Sequence, residues 1–142
     1  MDIRSVMTAN PATCTPDAPL RQVAQMMKDN DCGQIPVVGQ DRQPLGVITD
    51  RDIAMRMVAE GGDPTSATAG DYMTAPATTV SDQCSLDDVA KVMEREQIRR
   101  VVVVDDQGKV AGIVAQADIA RSGRDGKTAE VVKQVSEPGR SS

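Results

Sequence analysis

Histidine is absent from this chain, as are phenylalanine and tryptophan, and Tyr72 is the one aromatic residue. Without histidine, the side chain most often used as a general base near neutral pH and as a metal ligand is missing. Without aromatic platforms, and with a net charge of −5, the chain lacks the stacking surface and the basic face that hold nucleic acid. Cysteine is scarce: Cys14, Cys32 and Cys84 are an odd number, widely spaced, with no CxxC. That pattern fits reduced thiols serving as small core residues, not a disulfide framework. No apolar run approaches the roughly 20 residues that span a bilayer, and MDIRSVMTAN does not have the form of a secretory signal. The expectation is a cytoplasmic protein with no membrane and no nucleic-acid partner.

What the chain does have is an aliphatic core supply and a repeat. Hydrophobic residues make up 39% of the 142 positions, with Met26, Met27, Met55, Met57 and Met93 read as helix packing. Shifting the sequence by 66 positions lays Met7-Thr8 on Met73-Thr74 without a gap. Leu20, Val23, Ala24 and Met27 then fall on Leu86, Val89, Ala90 and Met93, Val37-Val38 on Val103-Val104, and Gly46 on Gly112. The stretch GVITDRD (46–52) returns as GIVAQAD (112–118), keeping the final Asp but exchanging Thr49 for Ala115. A constant offset over about 50 residues marks two copies of one supersecondary unit.

Each copy reads as β-α-β-β-α. Leu20, Val23, Ala24 and Met27 sit at helical spacing, and Ser85-Leu86-Asp87-Asp88 is an S-x-x-D cap opening the second version. The helices are expected to end near Asn30 and Glu96. Apolar strands follow at 35–38 and 101–104, then polar turns, then strands at 45–48 and 110–114, so each pair is an antiparallel hairpin. Short extended segments around Thr13-Cys14-Thr15 and Thr78-Thr79-Val80 precede the helices. A second helix is expected from Asp50 to about Glu60, and its counterpart from near Gln116. The predicted fold class is α/β (α+β): two such repeats packed sheet to sheet about a pseudo-two-fold axis, because one small sheet with helices on one face leaves the other bare. Repeat one spans 2–60, a Gly/Thr/Ser/Ala-rich linker 61–71, repeat two 72–121, and an extension 122–142 holds a short helix over 128–135 and a flexible tail.

The order MT, strand, L-x-x-V-A-x-x-M helix, IPVV or VVVVDD, and GVITDRDI resembles a tandem pair of CBS domains, a Bateman module. The chain is similar over about residues 2–121 to stand-alone bacterial two-CBS proteins, which carry no enzyme domain. The resemblance implies a homodimer that binds an adenosine-containing nucleotide in the cleft between its repeats.

The site residues have an independent reading. Thr49 ends a strand and the next residues open a helix, whose free N–H groups suit a phosphate. Asp52, in that first turn, accepts hydrogen bonds only and so suits ribose hydroxyls. Equally, Thr49 and Asp52 are what a plain helix cap requires. The resemblance assigns phosphate to Thr49 and ribose to Asp52. Repeat two keeps Asp118 and adds Arg99-Arg100, opposite Gly33-Gln34. Hairpin geometry puts both arginines near residues 114–118, where a guanidinium would grip phosphate. Family position implies that Thr13, Cys14, Ile35 and Pro36 in repeat one, and Val80, Val101 and Val102 in repeat two, hold the adenine.

The sequence therefore points to a regulatory sensor. AMP or ATP is the expected ligand, with ADP, NAD or S-adenosylmethionine as others. The alternative is a ligand-free scaffold or stress-related interaction module. No catalytic constellation is present, so no enzyme is expected. Asp41, Asp105 and Asp106 read as acidic turns, so no metal is expected.

Overall fold

Leu20, Val23 and Met27 form the buried stripe of an eleven-residue helix, and 66 positions later Leu86, Val89, Ala90 and Met93 do the same. The computed structural model describes residues 2–122, so the helix expected over 128–135 and the tail lie outside the described residues. After a 3-10 turn (Ile3–Ser5) come β1 (Thr8–Ala9), α1 (Leu20–Asn30), β2 (Gln34–Val38), a second 3-10 turn (Gln40–Arg42) and β3 (Pro44–Thr49). Next are α2 (Asp50–Asp52), continuing as a π-helical stretch (Ile53–Val58), and α3 (Ala69–Tyr72). The chain then forms β4 (Thr79–Ser81), α4 (Leu86–Glu96), β5 (Arg100–Val104), β6 (Val110–Ala115) and α5 (Gln116–Ser122). The α1 and α4 helices stop at matching left-handed residues, Asp31 (φ 50°) and Gln97 (φ 57°), whose N–H groups bond back into the last turn. At the start of α4 the Ser85 hydroxyl accepts from the Asp88 N–H, as the S-x-x-D pattern requires.

The chain divides into two compact units that cut across the sequence repeats: residues 11–78 with 108–110, and residues 2–10, 79–107 and the described chain from 111 onward. In the first unit β2 and β3 pair antiparallel, Gln34 opposite Thr49 and Ile35 opposite Ile48. Cys14 bridges Val37 in parallel, and Thr74 bridges Val47 antiparallel. Its core joins Leu20, Val23, Met27, Ile35, Val37, Ile48, Met57 and Ala69. In the second unit the strand order is β1-β6-β5-β4, with Thr8 opposite Ile113 and β4 parallel to β5. Its core joins Ile3, Val80, Leu86, Val89, Met93, Val101, Val103, Val114 and Ile119.

The Met-Thr segments are therefore exchanged: Thr8 lines the hairpin of repeat two, and Thr74 that of repeat one. This exchange accounts for the recurring glycine. A Cβ at Gly46 would lie 2.6 Å from the Thr74 carbonyl oxygen and 2.9 Å from Met73 Sδ. At Gly112 it would lie 2.5 Å from Met7 Sδ and 2.8 Å from the Thr8 carbonyl. Only a residue without a side chain leaves room for that crossing backbone. The stretch read as a linker is likewise built into the first unit. Leu20 N–H donates to the Ala67 carbonyl (2.8 Å), Gly70 N–H to that of Pro16 (2.8 Å), and Ala69 is fully buried. No helix among the described residues is long and apolar enough to cross a membrane.

Candidate functional site

In repeat one, Thr49 and Asp52 are locked to each other. The Asp52 N–H donates to Thr49 Oγ1 (3.0 Å), and the Thr49 N–H donates to Asp52 Oδ2 (3.0 Å), a reciprocal capping box at the start of α2. Such a cap contributes about 0.5–2 kcal/mol. The exchanged segment adds to it: the Thr74 hydroxyl reaches Asp52 Oδ1 and Oδ2 at 3.3 and 3.4 Å. The capping role foreseen as the simpler explanation is therefore realised. It leaves capacity for more, because a carboxylate accepts about four hydrogen bonds and the Thr49 O–H proton remains to donate. Asp52 is 9% exposed, and among the described residues no lysine or arginine pairs with it.

Repeat two carries half of that box. The Ala115 N–H donates to Asp118 Oδ2 (2.9 Å), and with no hydroxyl at 115 the reciprocal bond is missing. Arg121, one turn on, forms an ion pair with Asp118 instead. The expected placement of the arginines agrees with the backbone: the Gln116 N–H donates to the Arg99 carbonyl (2.7 Å), as Asp50 N–H does to Gly33 (2.9 Å). Arg100 opens β5, beside β6. Arg100 is half-buried as a residue, and among the described residues it has no ion-pair partner.

The residues assigned to adenine do not share one face. Ile35 and Val101 are at most 1% exposed and, with Cys14 and Val80, belong to the two cores. Successive strand residues point to opposite faces, so Pro36 and Val102 leave the sheet on the side away from those cores, while Thr13 is half-buried in the segment before α1. The sequence reading grouped Ile35 with Pro36, and the pleat separates them. Two neighbours of the Thr49–Asp52 pair went unnoticed. Thr74 is one, since nothing local says which repeat its segment will join. Gln34 is the other: it pairs with Thr49 in the ladder, is 8% exposed, and its amide Oε1 is buried with no hydrogen-bond partner among the described residues. The signal for Gln34 was its alignment, 66 positions earlier, with Arg100.

Two of the three thiols are held toward their neutral form. Burial, then the Asp17 charge, pushes the Cys14 thiol up to about 11. Burial and Asp88 raise that of Cys84, while Cys32 is exposed.

Comparison with known proteins sets this geometry in context. The model of the CBS domain matches residues 3–59 and 69–125. Hypoxic response protein 1 of Mycobacterium tuberculosis is 35% identical over 135 residues, 95% of this chain and 94% of that protein. A crystal structure of Hypoxic Response Protein I superposes with a TM-score of 0.77 at 36% identity, over 85% of this chain and 98% of that one. A CBS domain protein of Pyrobaculum aerophilum complexed with AMP gives a TM-score of 0.79 at 25% identity, over 94% of this chain and 99% of that one. The CBS domain pair of the protein MJ0100, in complex with 5'-methylthioadenosine and S-adenosyl-L-methionine, gives 0.77 at 27% identity, over 86% and 94%.

One expectation is overturned here. The sequence was read as implying no metal, yet the Hypoxic Response Protein I structure carries two coordinated zinc ions. Among the described residues no three His, Cys, Asp or Glu side chains gather, so these residues of one chain do not supply the four-ligand set of a closed zinc site. With the repeat, the exchanged strands and two matched stretches covering most of its length, the chain belongs to the CBS-domain family, as a tandem pair.

Proposed function

We propose that this protein is a regulatory sensor that binds an adenosine-containing ligand, with the ligand held at Thr49 and, through its ribose, at Asp52, and with Asp118, Arg99 and Arg100 serving the corresponding position of repeat two. The observation that carries the reading is Asp52: a buried carboxylate with no cationic partner among the described residues and with lone pairs to spare. Burying such a group is costly unless a partner offsets it, and a ribose diol is a partner of the right chemistry. The complexes of the related CBS pairs with AMP, 5'-methylthioadenosine and S-adenosyl-L-methionine support the same ligand class. AMP and ATP are the preferred ligands under this proposal, because Arg99 and Arg100 suit phosphate, ahead of NAD and S-adenosylmethionine. No residue is assigned a catalytic role.

The test is thermal unfolding and calorimetry with adenosine, AMP, ATP, NAD and S-adenosylmethionine. A ligand present at about 100 times its Kd adds about 2.7 kcal/mol to stability, which a melting curve resolves. A second reading, a scaffold using the fold without a ligand, draws on the capping box itself, which already gives Thr49 and Asp52 partners within the protein. No melting shift with any of these ligands at millimolar concentration would favour it. The proposal includes a homodimer: Met55 and Val58, one helical turn apart, are 58% and 61% exposed and form an apolar pair for a second copy to cover. Light scattering that returned a monomer would remove that part.

A further inference from the structure

Gln34 is a buried polar side chain that the capping box does not use. It is 8% exposed, and among the described residues its Oε1 has no hydrogen-bond partner. A buried amide oxygen without a partner destabilises a fold, so it calls for an explanation. Its position offers one. Gln34 lies directly opposite Thr49 in the β2–β3 ladder, so the two side chains leave the sheet on one face, roughly 5 Å apart at Cβ. The next pair along, Ile35 and Ile48, faces the other way into the core. Gln34 is therefore the immediate neighbour of the Thr49–Asp52 cap. In repeat two the aligned residue is Arg100.

We infer that Gln34 is a specificity-determining residue of the Thr49–Asp52 site, selecting the uncharged, hydroxyl- or amine-bearing part of a bound nucleoside over its phosphate. This rests on the proposal that an adenosine ligand binds there. Whichever way round the amide lies, it brings hydrogen-bonding groups and no charge. A buried phosphate needs a cation or several donors to replace its water. Gln34 and the Asp52 carboxylate supply no cation, whereas Arg100 does at the equivalent position. The exchange of Gln for Arg between the repeats thus divides labour: repeat one reads the nucleoside and repeat two tolerates the phosphate.

The experiment titrates adenosine and AMP by calorimetry into the wild-type protein, Gln34→Met, Gln34→Arg and Asp52→Asn, with a melting curve of each protein alone. Met keeps the volume and removes the unpartnered amide. Gln34→Met is expected to bind adenosine about fivefold to tenfold more weakly and, free of ligand, to melt about 2–5 °C higher. Gln34→Arg is expected to raise the preference for AMP over adenosine about tenfold. If Gln34→Met binds adenosine like the wild type while Asp52→Asn does not, the role of Gln34 is refuted and the site reading stands. If Asp52→Asn binds adenosine as the wild type does, the site reading falls, and this inference with it. A ligand-free Gln34→Met that melts lower than the wild type would show that the amide serves the fold, which also overturns the inference.

Discussion

Under the proposed function Asp52 links stability and binding, and two substitutions separate them. Asp52→Ala removes the acceptor of the Thr49 N–H (3.0 Å) and of the Thr74 hydroxyl (3.3 and 3.4 Å). Leaving a part-buried N–H at a helix start without its partner costs about 1–3 kcal/mol, and losing a cap costs about 0.5–2 kcal/mol. These overlap, so about 2 kcal/mol is the expected total. For a chain of this size that lowers Tm by about 5–8 °C. Asp52→Asn keeps one side-chain oxygen for the Thr49 N–H and offers its NH2 to Thr74 Oγ1, so its Tm should fall by about 2 °C or less. Both variants lose the charge that would hold a ribose diol. Hydrogen bonds to a charged group are worth about 1.5–3 kcal/mol, so AMP affinity should fall about tenfold to a hundredfold in each. Circular-dichroism melts and calorimetry with AMP measure the two effects. Asp52→Asn binding AMP as the wild type does would refute the ligand role, and Asp52→Ala melting like the wild type would refute the energetic argument for the cap.

Other substitutions test neighbouring parts of the structure. Ala115→Thr should complete the half-built box around Asp118 and stabilise the protein by about 1 kcal/mol in urea unfolding; an unchanged midpoint would mean that the Asp118 N–H needs no cap. Gly112→Ala places a Cβ against the Thr8 carbonyl and Met7 and should cost about 1–3 kcal/mol, seen as a lower urea midpoint; a wild-type midpoint would show that the exchanged segment is not pinned there. Iodoacetamide at pH 8 should label the exposed Cys32 well before Cys14 or Cys84, and mass mapping that found Cys14 first would contradict its burial. The Cys14 thiol is raised in the fold from an ordinary 9.0 to about 11, so its neutral form contributes stability below pH 9 that is lost as pH rises toward about 11. Unfolding midpoints should therefore fall less across that window in Cys14→Ala than in the wild type.

Much of this architecture is written locally. The 3.6-residue spacing of Leu20, Val23 and Met27, and of their partners 66 positions on, sets both long helices to their observed ends. The β-branched runs around short polar turns set both hairpins, and the S-x-x-D at Ser85 sets a cap. These features depend on residues within a few positions of one another, so a linear reading reaches them. The phase of each strand was harder to read. Ile35, Pro36, Val37 and Val38 are all buried, and a run without polar alternation does not say which face meets the helices.

Only the tertiary structure decided where the two Met-Thr segments go. Both copies carry the same two residues, and a two-residue strand has too little pairing energy of its own to choose a partner. The choice rests on the space above Gly46 and Gly112 and on the packing of Met7 and Met73 against cores built from residues tens of positions away in sequence. That choice also brings the Thr74 hydroxyl onto Asp52, whereas the β2–β3 hairpin by itself sets Gln34 opposite Thr49. Repetition and periodicity determined which elements form; the long-range packing of those elements determined which side chains share a face.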